Sequence, residues 1–107
     1  MFCAFEGSPL IVRLHGRGTA VEKGDPEFEE LRPQFPEFGS ARAIIKLEIE
    51  RIADSCGWGV PLMKLVGERD QIERATAARG PEGIRTSQLK NNLESLDGLP
   101  GLRRPSV

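Results

Sequence analysis

The sequence has little of what builds metal centres and nucleophilic catalytic sites, since it contains two cysteines and one histidine. It is also poor in large polar aromatics, with one tryptophan and no tyrosine. A structural zinc site needs four ligands, usually cysteine and histidine, so Cys3, Cys56 and His15 cannot form one without carboxylates. Serine–histidine or cysteine–histidine catalysis is not excluded, but no local motif supports it. We expect both cysteines to be reduced, buried thiols in a cytoplasmic protein.

The chain also has no excess of charge of either sign, because 15 Lys and Arg residues balance 16 Asp and Glu residues to a net charge of −1. A dedicated nucleic-acid-binding protein carries a basic excess on one face. Strands with aromatic and arginine residues could form a stacking platform for RNA, but the five Phe and one Trp lie in no recognised RNA motif. We therefore expect no nucleic-acid partner.

Long apolar runs are absent as well. No run approaches the roughly 18 residues of a membrane-spanning helix. The residues from Met1 to Glu6 lack the basic region and the long apolar core of a secretory signal. We expect a cytoplasmic protein without a membrane partner.

What the 107 residues do contain is a pattern of strands in the first half. A short strand is predicted from Phe2 to Phe5, and a second from Leu10 to Glu22. In the second strand, alternate positions face opposite sides, with Leu10, Val12 and Leu14 on one side and Ile11, Arg13 and His15 on the other. Gly16 and Gly18 inside it predict a bulge, a sharp bend, or close approach of another backbone or a ligand.

A third strand is predicted from Arg42 to Ile52. Its predicted buried face consists of Ala43, Ile45, Leu47 and Ile49. Asp25 and Pro26 are suited to start a short helix with an apolar face at Phe28, Leu31 and Phe35. Two more helices are predicted at 68–79 and 84–96, separated by a Gly-Pro break, with Leu89, Leu93 and Leu96 on one face of the second.

Three strands, or four if the second one bends, have an apolar face with little to pack against. We expect an α+β unit whose sheet is incomplete. The chain would then either pair with another chain or form the second half of a larger sheet, so an association state above monomer is predicted.

The loop at 54–61 has the sequence DSCGWGVP, with the single tryptophan between two glycines. One interpretation is an ordinary connector whose tryptophan fills the edge of the core. The other is a fixed backbone path that leaves room for a ligand or another chain. We expect Trp58 to lie at or near the sheet edge or a dimer interface and not to be fully exposed, because a large ring is poorly placed in water.

Four segments together resemble the C-terminal half of flavoproteins related to pyridoxamine 5′-phosphate oxidase, which have the FMN-binding split-barrel fold. They are MFCAFEG, PLIVRLHGRGTAVEKGDPEFEEL, RAIIKLEIERIADSCGWGVP and SLDGLPGL. The resemblance covers about residues 1–102, and its most specific parts are DSCGWGVP and DGLPGL.

The resemblance implies a mainly β fold with helices, a partial split barrel. Residues 1–67 would be the C-terminal half of the barrel with one inserted short helix, 68–102 a helical extension, and 103–107 a disordered tail. It implies an FMN-dependent oxidoreductase that works as a homodimer, with two FMN molecules at the interface. Most ligands of the flavin phosphate would lie on strands that nothing in this chain matches, so the sequence looks shortened at the N-terminus.

The cofactor-binding residues that the resemblance implies fall in two segments of the chain: Arg13, His15 and Arg17, then Ser55, Cys56, Gly57 and Trp58. The arginines would supply cations, His15 a ring contact, Ser55 and Cys56 weak donors, Gly57 (with Gly59) close backbone approach, and Trp58 an aromatic wall. Surface charge for the arginines and a structural role for His15 are the alternatives.

Two departures from the family bear on activity. The family oxidases have a polar Gln that contacts the flavin where this chain has Ile11. An isoleucine side chain cannot hydrogen-bond a flavin ring. Their substrate-binding Trp and Arg have no counterpart, so vitamin B6 is not implied as substrate. The alternative function is a non-catalytic dimerisation or binding module that has lost the cofactor.

Overall fold

The computed structural model describes residues 1–103, which divide into two compact units. The first unit comprises residues 1–19 and 46–68, and the described part of the second comprises 20–45 and 69–103. The strands are β1 (Phe2–Cys3), β2 (Ile11–Glu22) and β3 (Ala43–Ser55). The helices are α1 (Pro26–Leu31), a 3₁₀ turn (Arg32–Gln34) and α2 (Gln71–Asn91).

The strands form one sheet in the order β1-β2-β3. β1 runs antiparallel to β2, with Phe2 opposite Val12 and Cys3 opposite Ile11. An antiparallel sheet of three strands followed by a C-terminal helix is an α+β fold, and it is consistent with part of a split barrel. The predicted fold class is therefore confirmed.

Gly16 lies where two strand backbones approach closely. A Cβ atom at this position would overlap the carbonyl oxygen of Glu48 in β3, whereas a Cβ at Gly18 would meet nothing within 4 Å. Of the alternatives that the two glycines left open, close backbone approach is thus found at Gly16.

The second unit has a small core around α1. Val21 and Phe28 are each 3% exposed and Ile84 is 9% exposed. α1 starts at Pro26 after Asp25, as predicted. The predicted apolar face does not extend to Phe35, because α1 ends at Leu31 and Phe35 lies beyond the 3₁₀ turn, 48% exposed.

Helix α2 is broken where the sequence predicted. Gly80 has φ 66° and ψ 173°, and Pro81 follows it, so residues 71–79 and 81–91 are two helical segments. A residue before proline avoids the helical region, and glycine can adopt the positive φ that the break requires.

The second helical segment ends at Asn91 and not at Leu96 as predicted. The following residues form a small hairpin in which the Ser95 amide donates to the Leu99 carbonyl (2.9 Å) and the Gly101 amide to the Leu93 carbonyl (2.9 Å). Leu96 is fully exposed at its tip, so the predicted leucine face is wrong at this residue.

The predicted buried face of β3 is wrong at Ile45, Leu47 and Ile49, whereas Ala43 is half-buried. Ile45 is 70% exposed and Ile49 is 48% exposed. The alternation is real, but too little of residues 1–103 packs over this face to bury it. No helix among these residues is long and apolar enough to cross a membrane.

Candidate functional site

The residues that the resemblance implies for cofactor binding all belong to the first unit. β2 holds Arg13, His15 and Arg17, while the end of β3 and the loop after it hold Ser55, Cys56, Gly57 and Trp58.

Arg13 and Ser55 are brought together across the sheet. The Nη1 atom of Arg13 donates a hydrogen bond to Ser55 Oγ at 3.0 Å, and both residues are half-buried. Because the hydroxyl is neutral, it leaves the charge of the guanidinium uncompensated. Guanidinium groups bind carboxylates and phosphates through several donors at once, so Arg13 can offer its remaining donors to an anion.

Arg17 is occupied differently. Its Nε lies 3.2 Å from Glu50 Oε1, and the two side chains are 84% and 59% exposed. Such an exposed pair contributes little to stability and neutralises the arginine. His15 is exposed and makes no hydrogen bond or ion pair within residues 1–103. The structure therefore favours the surface-charge alternative for Arg17.

Gly57 anchors the DSCGWGVP loop. It is buried with φ 65°, and a Cβ atom there would lie 2.6 Å from the Leu10 amide nitrogen. The Val60 amide donates to the Gly57 carbonyl at 2.9 Å and closes the turn. The predicted close backbone approach is present at Gly57 but not at Gly59, where a Cβ would meet nothing within 4 Å.

Trp58 lies on this turn and is 83% exposed, so the single chain does not cover the ring, and its place at a sheet edge or dimer interface stays a prediction. Gly57 packs against the backbone of Leu10, the residue before β2, and the Trp58 side chain projects from the backbone that this contact holds. Cys3 and Cys56 are both free thiols. Cys3 is half-buried but Cys56 is exposed, so the predicted burial is wrong for Cys56.

Sequence reasoning missed the segment that follows the loop. Leu62 is 81%, Leu65 73% and Val66 99% exposed, and the Met63 amide donates to the Phe5 carbonyl at 3.0 Å. The available signal was an apolar run after Pro61. Apolar side chains exposed together in one segment are a common feature of interaction surfaces.

A second missed feature is an arginine–carboxylate cluster in the other unit. Arg103 donates from its backbone nitrogen and its Nε to the Glu22 carboxylate (2.9 and 3.1 Å), and from Nη2 to Asp25 Oδ2. The hydrogen bond from Arg103, followed by that from the Glu22 amide, lowers the pKa of Asp25 below its ordinary value. Arg103 begins the predicted tail, whose other residues, 104–107, lie outside the described residues.

Comparison with curated proteins finds a relative in the family that the sequence resembles. The chain is 34% identical to the pyridoxamine 5′-phosphate oxidase family protein ustO of Aspergillus flavus over 119 aligned positions, which cover 95% of this chain and 47% of the relative. This relative is named for the family that the sequence resembles, and the chain spans about half of its length. No family model matches the sequence, and no solved structure matches it.

Proposed function

We propose that this chain is part of an FMN-binding oxidoreductase of the pyridoxamine-phosphate-oxidase type. The observation that carries the proposal is the Arg13–Ser55 pair, a half-buried guanidinium bonded to a neutral hydroxyl. Ser55 ends β3 immediately before the loop that Gly57 anchors and from which Trp58 projects.

The residues present fit part of FMN. A flavin mononucleotide needs a cation and donors for its phosphate, donors to its ring carbonyls, and a flat apolar wall. Arg13 fits an anion and Trp58 fits the wall, while Arg17 is already paired with Glu50. When bound, the flavin supplies the hydride or electron transfer, and this chain's residues bind and orient it.

One free arginine is too few for tight phosphate binding. Phosphate recognition usually takes a cluster of donors, and each charge-assisted hydrogen bond contributes roughly 1.5–3 kcal/mol. With two or three such contacts missing, nanomolar affinity falls to about the high micromolar range. We propose that the remaining contacts belong to a part of the protein corresponding to the half of the relative that this chain does not span.

The exposed apolar side chains support a homodimer. Phe2 is 64% and Trp58 83% exposed, with Leu62 and Val66 nearby in sequence to Trp58 and also exposed. Exposed apolar surface of this extent on a small chain is typical of an interface. A cytoplasmic location is part of the proposal and rests on the two free cysteines.

A second candidate function is a dimerisation or binding module without cofactor. The specific observation in its favour is the ion pair of Arg17 with Glu50, since a nearby carboxylate makes Arg17 a poorer phosphate ligand than Arg13. The two candidates share the interface and differ in whether flavin binds.

Titration of FMN with the chain, followed by quenching of flavin fluorescence, tests the proposal. We expect weak binding that Arg13→Gln weakens about tenfold further, since one charge-assisted bond is lost. The control Arg17→Gln should leave the affinity nearly unchanged. The relative ustO, purified at full length, should carry flavin.

Two results would contradict the proposal in different ways. One-to-one binding below micromolar would mean that this chain already holds a complete site. If neither the chain nor the full-length relative binds flavin, the cofactor-free module is the correct function.

A further inference from the structure

A groove of about 740 Å³ in the second unit takes no part in the site described above. It lies along α2 on both sides of the break at Gly80 and reaches the turn at Lys23 and Gly24. Its volume falls within the roughly 300–1,000 Å³ that is typical of small-molecule sites.

The floor of the groove is apolar. Ile84, one of the three buried apolar residues, lies there together with the α2 residues Thr76 and Ala77. Gly39 approaches so closely that a Cβ on it would lie 2.9 Å from the Thr76 methyl carbon. A ligand in this groove would therefore place an apolar body against a packed floor.

The groove also contains cations without partners. Arg85 is half-buried and Lys23 is exposed, and neither side chain makes a hydrogen bond or ion pair within residues 1–103. In the same unit, by contrast, Arg42 is bonded to Asn92 and Arg74 to Asp70. Withdrawing a charge from water without a partner is unfavourable, so a half-buried, unpaired guanidinium beside an apolar floor suits an anion.

The backbone fixes the position of Lys23 before any ligand arrives. The Lys23 amide donates to the Arg42 carbonyl at 3.0 Å, and the Asp25 amide donates to the Glu22 carbonyl at 2.9 Å. Arg103 holds the same turn by bonding both Glu22 and Asp25. An ordered backbone lowers the entropy lost on binding, so that at Lys23 only the side chain has to be fixed by the ligand.

Two carboxylates limit the charge of the ligand. Glu29 and Glu82 also line the groove and are exposed. Glu82 lies in the first turn of the segment 81–91, where a carboxylate complements the helix dipole. These negative charges disfavour a polyanion such as a nucleotide, while a single negative charge next to Arg85 remains favourable.

We propose that this groove binds a small organic monoanion with an apolar body, of the aryl- or alkyl-carboxylate class. The carboxylate pairs with Arg85 and Lys23, and the apolar body covers Ile84 and Ala77. This inference does not rest on flavin binding, because every residue that it uses lies in the second unit.

The test uses phenylacetate as probe and follows the methyl resonances of Ile84 and Ala77 by NMR with the full chain. We expect saturable shifts at these methyls, and at least about tenfold weaker binding of the neutral isostere 2-phenylethanol and of phenethylammonium. Equal binding of the three compounds, or no shift at these methyls up to the solubility limit, overturns the proposal.

Two variants with opposite expected effects on phenylacetate affinity distinguish a specific site from a general loss of structure. Arg85→Gln should weaken the binding of phenylacetate about tenfold or more. Glu29→Gln should strengthen its binding a few-fold, because a repulsive charge is removed. Arg74→Gln, a change on α2 outside the groove lining, is the matched control and should have no effect. If Arg85→Gln leaves the affinity unchanged, or Glu29→Gln weakens it, the assignment is wrong.

Discussion

The two units differ in what they bury. The second holds all three buried apolar residues of the described chain, Val21, Phe28 and Ile84. The first holds none of these, although Trp58 and Val66, at 83% and 99% exposed, belong to it. One unit thus closes a small core by itself, and the other presents apolar surface.

The proposed cofactor-binding residues all lie in the unit without a core. Binding surfaces are often drawn from the less stable parts of a protein, and large exposed apolar patches mark interaction sites. The contrast agrees with the proposal that the first unit gains stability from a partner, either the rest of a split barrel or a second chain.

The largest expected effect is on the core of the second unit. Phe28→Ala should lower the free energy of unfolding by about 3–5 kcal/mol, because it removes a ring that is 3% exposed. Trp58→Ala, a comparable truncation in the first unit, should change it by less than about 0.5 kcal/mol at concentrations where the chain is monomeric, since the ring is exposed in the single chain. Urea denaturation followed by circular dichroism measures both. Equal losses would mean that Trp58 is buried in solution, by a partner or by the chain itself.

A second prediction concerns the anchor of the loop in the first unit. Gly57→Ala should destabilise the loop conformation by about 2–3 kcal/mol, because the position needs φ 65° and has no room for a Cβ beside Leu10. Gly59→Ala is the matched control, with open space around it. The single tryptophan lies between them, so its fluorescence anisotropy should fall in Gly57→Ala and not in Gly59→Ala. The same change in both variants would refute the anchoring role.

The smallest effect is electrostatic. Because Arg103 lowers the folded-state pKa of Asp25, the pair stabilises the second unit above the unfolded-state pKa of about 3.9, and this contribution is lost as the pH falls through the lowered value. In Arg103→Gln, the Asp25 carboxyl should titrate closer to its ordinary pKa, as followed by carbon NMR. Arg69→Gln, a change at an exposed arginine of the same unit, should leave it unchanged. An unchanged Asp25 pKa in Arg103→Gln would show that the contact does not persist in solution.

Local patterns in the sequence predicted much of this structure. The alternation in β2 and β3, the start of α1 at Pro26 and the break at Gly80 were all readable, because each depends on residues adjacent in the chain. The resemblance to the family, carried by DSCGWGVP and DGLPGL, was confirmed by the relative.

Burial and long-range pairing were not predictable in this way. Alternation shows which face of β3 is apolar, but it cannot show whether anything covers that face, and Ile45 remains exposed. The Arg17–Glu50 pair and the Arg103–Asp25 contact join residues 33 and 78 positions apart, so their partners could not be read from local spacing. The cofactor-binding roles of all the proposed site residues, in β2 and in the DSCGWGVP loop, stay predictions.

Residue-resolved amide hydrogen exchange on the isolated chain tests the contrast between the units most directly. Amides with low exchange should cluster around Val21, Phe28 and Ile84, while those of β1 and of the β2 and β3 residues in the first unit should exchange much faster. Adding a partner that completes the sheet should slow exchange in the first unit selectively. Equal or stronger protection of the first unit in the isolated chain would contradict the account, because that unit would then be stable on its own.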